Sequence, residues 1–178
     1  MIRIGLSGKM CSGKSLIAAY LVKSYGFTEC SFAARVKELA AELLDVRDKG
    51  DRGRYLLQQL ANHMREIDPN IWVRYLVNRL PVDRPVVVSD IRYPNECDEL
   101  ERRGFIIIRM QQDRAEQERL IQENYLGLPL MLLDDLSETA LDSRVFKYKI
   151  NNGTNVPLTA VYAQADAIMG KLLLEHMR

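Results

Sequence analysis

The sequence predicts an α/β fold, a parallel sheet with helices on both faces, and three observations predict it. Short apolar or β-branched runs at residues 2–6, 27–32, 86–88, 105–108 and 146–150 read as five strands, separated by longer segments of helical composition. The run Val86, Val87, Val88 lacks polar alternation, as expected of a strand buried on both faces of a parallel sheet. A glycine-punctuated turn, residues 8–15 (GKMCSGKS), stands directly between the first strand and the first helix.

That turn fits the phosphate-binding loop pattern GxxxxGKS. Gly8 permits the turn out of the strand, and Gly13 lets the backbone approach phosphate oxygens that a Cβ would push away. Successive N–H groups of Cys11, Ser12 and Gly13 then form an anion nest, reinforced by the positive end of the following helix. Lys14 is expected to reach the β- and γ-phosphates, and the Ser15 hydroxyl to ligate Mg²⁺. The loop therefore narrows the fold to that of P-loop NTPases, three layers around a parallel five-stranded sheet, and makes ATP with Mg²⁺ the expected ligand.

The remaining elements follow in order. Leu16 to Lys23 continue as a helix ending near Gly26. Residues 33–44, rich in Ala, Leu, Lys and Glu, read as the next helix. Charged, glycine-containing residues 45–53 read as a mobile surface loop, and residues 54–66 as a helix. Asp68 and Pro69 open a helix to residue 80, with proline tolerated in the first turn. Asn95 is placed to cap a helix that Gly104 ends. Residues 111–124 read as a solvated helix, 127–133 as apolar and irregular, and 134–141 as an acidic segment. Pro157 opens the last helix, where Leu158, Val161, Ala165, Ile168 and Leu172 recur at i+3 and i+4 and mark one buried face. No repeat or interdomain linker interrupts residues 1–178, which read as one domain.

Composition excludes several function classes. With 25 Lys and Arg against 24 Asp and Glu, the chain has no global field favouring nucleic acid or an anionic membrane, so any anion site must be local. Cys11, Cys30 and Cys97 contain no CxxC pair and read as reduced thiols. The longest apolar stretches, 105–108 and 126–133, are too short to span a membrane, and no secretory leader is expected, so the expected address is the cytoplasm. A homodimer is left open.

Two further features stand where a parallel sheet puts its ligands, at the carboxyl ends of the strands. Asp90, after the 86–88 strand, is placed to face Lys14 and Ser15 and to hold Mg²⁺ through water or orient an attacking oxygen, and Arg92 is placed to meet a second anion. Arg35, Arg65, Arg109, Arg114 and Arg119 lie on segments expected to rim the same crevice, and guanidinium groups suit phosphate because they bind it bidentately and keep their charge.

These residues carry a resemblance. Gly26-Phe27, Ser31-Phe32-Ala33, Leu57-Gln58-Gln59-Leu60, Arg65, the run from Asp68 through Pro69 and Trp72 to Arg74, the run Ser89-Asp90-Ile91-Arg92-Tyr93-Pro94-Asn95-Glu96, Ser137-Glu138 and Ile150-Asn151-Asn152-Gly153-Thr154 resemble landmarks of the phage-type deoxynucleoside monophosphate kinases. They span residues 2 to about 158. The resemblance implies transfer of the ATP γ-phosphoryl group to a (deoxy)nucleoside 5′-monophosphate. It implies that Lys14 and Ser15 serve ATP and Mg²⁺, that Asp90 serves catalysis or the metal, and that Arg65 and Arg92 hold the acceptor phosphate. It further implies that Ser31, Arg35 and Trp72 line an acceptor region at 33–80, and that Arg114 or Arg119 closes from a lid at 111–142. Two residues depart from the family pattern: Cys11 stands where glycine is common, and Leu136 where many relatives carry histidine.

Other readings share the loop. The same loop and Asp90 would serve a kinase of dephospho-coenzyme A, phosphomevalonate or a modified base in DNA, although the lack of a basic stripe disfavours nucleic acid. A nucleotide-binding module without turnover would need neither Asp90 nor the arginines.

Overall fold

The computed structural model describes residues 1–45, 51–125 and 129–176. Five strands, β1 (Arg3–Ser7), β2 (Thr28–Cys30), β3 (Val86–Ile91), β4 (Ile106–Gln111) and β5 (Tyr148–Asn151), form one sheet in the order β2-β3-β1-β4-β5. Every pairing among them is parallel, with Ile4 opposite Val87 on one side and Ile106 on the other. From β1 the chain leaves toward β2, and from neighbouring β4 toward β5. The carboxyl ends of these two strands therefore flank the switch point where an open α/β sheet places its crevice.

Alternation along the strands divides the core in two. Val87, Ile108 and Met110 face α1 (Lys14–Tyr25) and α8 (Leu158–His176), meeting Ile17, Leu21, Val161, Ala165 and Leu172. Val86, Val88 and Ile107 face the opposite layer, meeting Val36 of α2 (Ala33–Leu44), Trp72 and Leu76 of α4 (Ile71–Val77), and Leu100 of α5 (Pro94–Arg102). Burial of both sheet faces is why the strands read as unbroken apolar runs. The amphipathic α3 (Asp51–Ile67) lies on this second layer through Leu57, Leu60, Ala61 and Met64.

Several boundaries differ from those expected. Part of the loop expected at 45–53 lies outside the described residues; its last three, 51–53, belong to α3. The helix expected at 69–80 shortens to α4, because Asp68 folds back to accept the Asn70 N–H at 2.9 Å. β3 extends through Ser89, Asp90 and Ile91, so Asp90 is a strand residue rather than one beyond it. Asn95 does not cap α5. Glu96 does so, its carboxylate accepting the N–H groups of Arg92 (2.8 Å) and Tyr93 (3.1 Å), while the Asn95 amide donates to Pro69 C=O. Among the residues expected to be irregular, Leu130–Asp134 form a 3₁₀ turn, and the acidic segment contains the short helix α7 (Leu136–Thr139) after α6 (Arg114–Asn124).

Candidate active site

The phosphate loop emerges from β1 and runs into α1 through Gly13, whose φ of +92° suits glycine. A Cβ there would sit 2.6 Å from the Asn152 amide nitrogen, so space as well as conformation demands glycine. Cys11 is also left-handed, at φ +59°, a strained state for an L side chain and a place where glycine would sit more easily. Side chains from three elements hold the loop in this shape. The Met10 N–H donates to Glu138 of α7 at 2.5 Å, its C=O accepts from Gln117 of α6 at 2.9 Å, and Ser12 C=O accepts from Asn152 at 3.3 Å. The Ser12 hydroxyl is buried and has no partner among the described residues.

Lys14, at the first turn of α1, curls back over its own loop. Its amine donates to Gly8 C=O at 2.6 Å and Lys9 C=O at 2.7 Å. Burial pushes its pKa from 10.5 down to about 7, Arg92 adds to the fall, and Asp90 opposes it. Ser15 is exposed toward the cavity described next.

At the end of β3, charges are held by one another and by the backbone. Asp90 accepts the N–H groups of Phe32 and Ala33, one on each oxygen, both at 2.9 Å. It thereby ties the start of α2 to the end of β3, leaving each oxygen a further lone pair. Arg92 pairs with Glu138, the carboxylate that also holds Met10. Arg65 lies 3.4 Å from Glu96 and places its guanidinium 4.5 Å from the centre of the Tyr93 ring. Glu96 is 2% exposed, and burial pushes its pKa up to about 7.

A cavity of about 790 Å³ joins these parts. Cys11, Ser12, Gly13, Lys14 and Ser15 of the loop line it together with Ser31, Arg65, Asp90 and Arg92. Gly8 meets it indirectly, through the carbonyl that holds Lys14.

Five residues expected at the site or its rim stand elsewhere. Trp72 is a core residue, 3% exposed, whose indole N–H donates to Ala61 C=O at 3.1 Å and fastens α4 to α3. Arg35 points along α2 to Glu38 and Glu42. Arg114 pairs with Glu118 and Asp134, and Arg119 with Glu116 and Glu123, on the outer side of α6. For these arginines, carboxylates three to twenty residues away in sequence are nearer partners than the cavity. Arg109 likewise bonds Ser7 and Asp142.

Conversely, the sequence does not single out Gln117 or Asn62, and Gln58, Glu96 and Glu138 enter it only as landmarks of the resemblance. An acidic residue at the third position of a helix was a readable capping signal for Glu96. Gln117 carried none, because its partner Met10 is 107 residues away.

The donor set suits Mg²⁺ in its usual form, one or two protein oxygens completed by water and substrate phosphates. Ser15 and Asp90 supply a hydroxyl and a carboxylate at the same cavity, and no cluster of three acidic, histidine or cysteine ligands occurs among the described residues. Cys11, Cys30 and Cys97 form no disulfide, and no described helix is long and apolar enough to cross a membrane.

No family model matches the chain. It is 31% identical to the "Putative deoxynucleotide monophosphate kinase" of Acanthamoeba polyphaga mimivirus, the match covering 62% of this chain and 74% of the viral protein. The chain belongs to the deoxynucleotide monophosphate kinase family. Two solved structures share the fold of this family member. A gluconokinase from Sinorhizobium meliloti 1021 superposes with a TM-score of 0.61 at 19% identity, covering 98% of this chain and 97% of that one. A deoxyadenosine kinase from M. mycoides does so with a TM-score of 0.54 at 14% identity, covering 96% and 98%. Family and fold together make the protein a P-loop kinase, a phosphotransferase acting on a nucleotide or another small molecule.

Proposed function

We propose that this kinase transfers the γ-phosphoryl group of ATP to the 5′-phosphate of a (deoxy)nucleoside monophosphate, giving ADP and the nucleoside diphosphate. The observation that carries the reading is a single cavity lined both by an anion-receiving loop and by two further guanidinium groups, Arg65 and Arg92. A kinase with an uncharged acceptor has no need of these further cations. The cavity face of α3 supports the nucleotide, since Gln58, Ala61, Asn62 and Arg65 lie along it. Seven residues of helix span roughly 10 Å, enough to run from a phosphate at Arg65 past a sugar to a base at Gln58. The carboxamides of Gln58 and Asn62 offer donors and acceptors to such a base. The name of the mimivirus relative points to the same acceptor class.

In this reading residues 33–80 receive the acceptor and residues 111–142 cover the donor. Backbone N–H groups of residues 12–15 and the Lys14 amine hold the β- and γ-phosphates, for which Lys14 exchanges the two carbonyls it now occupies. Arg65 and Arg92 fix the acceptor phosphate so that one of its oxygens lies in line with the γ-phosphorus. A bond forms from that oxygen to phosphorus as the bond to the β-bridging oxygen breaks, and ADP leaves with the charge. Asp90, by holding the start of α2 against β3, sets the distance between the two halves. When bound at Ser15 and Asp90, Mg²⁺ would neutralise phosphate charge.

The test is an acceptor screen with Mg·ATP across ribo- and deoxynucleoside monophosphates and dephospho-coenzyme A, following ADP. Turnover with one or more monophosphates is expected. Turnover with dephospho-coenzyme A alone, or with nothing, would overturn the reading.

A further inference from the structure

Glu138 contacts both the phosphate loop and Arg92, two parts of the cavity lining that follow different strands. Its Oε2 accepts the Met10 N–H, inside the phosphate loop, at 2.5 Å, and its Oε1 pairs with Arg92, beyond the end of β3. The side chain is 2% exposed, so water does not compete for either contact. It projects from α7, a single turn whose start is fixed by Asp135 accepting the Ser137 N–H at 2.8 Å. Met10 is gripped on its other side by Gln117, whose side-chain amide donates to its C=O at 2.9 Å.

We propose that Glu138 is a positioning residue that couples donor occupancy to the placement of Arg92, so that nucleotide at the phosphate loop prepares the acceptor end. A triphosphate entering the loop brings negative charge beside Met10, where the Glu138 carboxylate already sits. The carboxylate must respond to that charge, and Arg92, its ion-pair partner, is carried with it or released toward the acceptor. Either displacement alters a group at the acceptor end through one buried side chain, without any movement of the sheet. The kinetic consequence rests on the proposed function, because it needs Arg92 to serve the acceptor phosphate; the structural consequence needs only nucleotide in the loop.

Amide hydrogen exchange with ADP as the probe reads the structural consequence. In the unaltered protein, ADP is expected to change exchange both in the loop, residues 8–16, and in residues 89–97, which carry Arg92. In Glu138→Gln, which keeps a carbonyl oxygen for Met10 but loses the charge that holds Arg92, ADP should still change the loop with affinity within about threefold. The response of residues 89–97 should be lost. Gln117→Ala, which loosens Met10 without removing the carboxylate, should retain that response. No response of residues 89–97 in the unaltered protein, or an equal response in Glu138→Gln, would overturn the proposal. Loss of ADP binding in Glu138→Gln would also overturn it, by making Glu138 a part of the loop's own fold.

Steady-state kinetics reads the other consequence: acceptor KM should rise on the order of tenfold in Glu138→Gln while the KM for ATP moves little. Equal changes in both KM values would indicate general loosening and sink the coupling. If the acceptor screen finds no monophosphate substrate, the proposed function falls, and the ADP exchange arm still decides the coupling.

Discussion

The phosphate loop and the rest of the cavity lining are built on different principles. The donor end is eight consecutive residues whose recognition groups belong largely to the backbone, and its shape follows from Gly13, from Cys11 in a left-handed state, and from the turn into α1. The rest of the lining, the proposed acceptor region, is made of side chains from α2, α3, β3 and the residues just after it that meet only in the folded chain, and its charges already have partners: Arg65 has Glu96, Arg92 has Glu138, and Asp90 has two backbone N–H groups. A contiguous backbone nest can be read as a pattern. A side-chain site whose charges neutralise one another cannot, because its residues are scattered and each resembles a surface ion pair. The contrast also predicts which variants should damage which half of the reaction.

The largest effect should come at the donor end. Lys14→Ala removes the amine expected on the β- and γ-phosphates, and kcat/KM should fall by on the order of 10³. ADP release under saturating acceptor measures it, and a loss below tenfold would break the assignment of Lys14. At the acceptor end, Arg65→Ala removes a guanidinium from the cavity and leaves Glu96 buried with one partner fewer. Acceptor KM should rise by about ten- to a hundredfold while ATP affinity stays within a fewfold, a split that calorimetry with ADP and steady-state kinetics together resolve. Parallel losses in both would erase the distinction between the two ends.

The donor end should also respond to pH. With Lys14 lowered to about 7 when the loop is empty, a polyanion beside it favours the charged form, so nucleotide binding takes up a proton above that pH. This contribution to affinity is present in full below pH 7 and falls as pH rises, by up to about tenfold per unit until the bound-state pKa is reached. Calorimetry at pH 8 in buffers of different ionisation enthalpy should register the uptake, and identical heats after buffer correction would refute it. The smallest effect distinguishes core from pocket. Trp72→Phe keeps most of the apolar volume but loses the indole hydrogen bond to Ala61 C=O, so stability should fall by about 1 kcal/mol in denaturant melts, with acceptor KM unchanged. A selective rise in acceptor KM would return Trp72 to the pocket.

How much was legible in the sequence depended on the range of the interactions involved. All five strands, the phosphate loop and the apolar face of α8 from Val161 to Leu172 follow from local periodicity and spacing, each within a few residues of its expected place, whereas Leu158, expected on that face, is 48% exposed at the helix start. Arg65, Asp90 and Arg92 reached the cavity as expected. Arg35, Arg114 and Arg119 did not, because helical spacing gave each a carboxylate three or four residues away. Trp72, expected to line the acceptor pocket, went to the core because its indole could satisfy its one donor on Ala61 while burying its rings.

The amino-acid sequence by itself determined the layered α/β fold and the donor loop, since hydrophobic period, glycine conformation and backbone N–H groups act within a few residues. Tertiary structure alone decided that Asp90 anchors α2, that Gln117 and Glu138 grip Met10, and that Glu138 reaches Arg92 as well. Those contacts join residues from 46 to 128 positions apart, and a buried charge selects its partner by the geometry of the finished core, which no local pattern records.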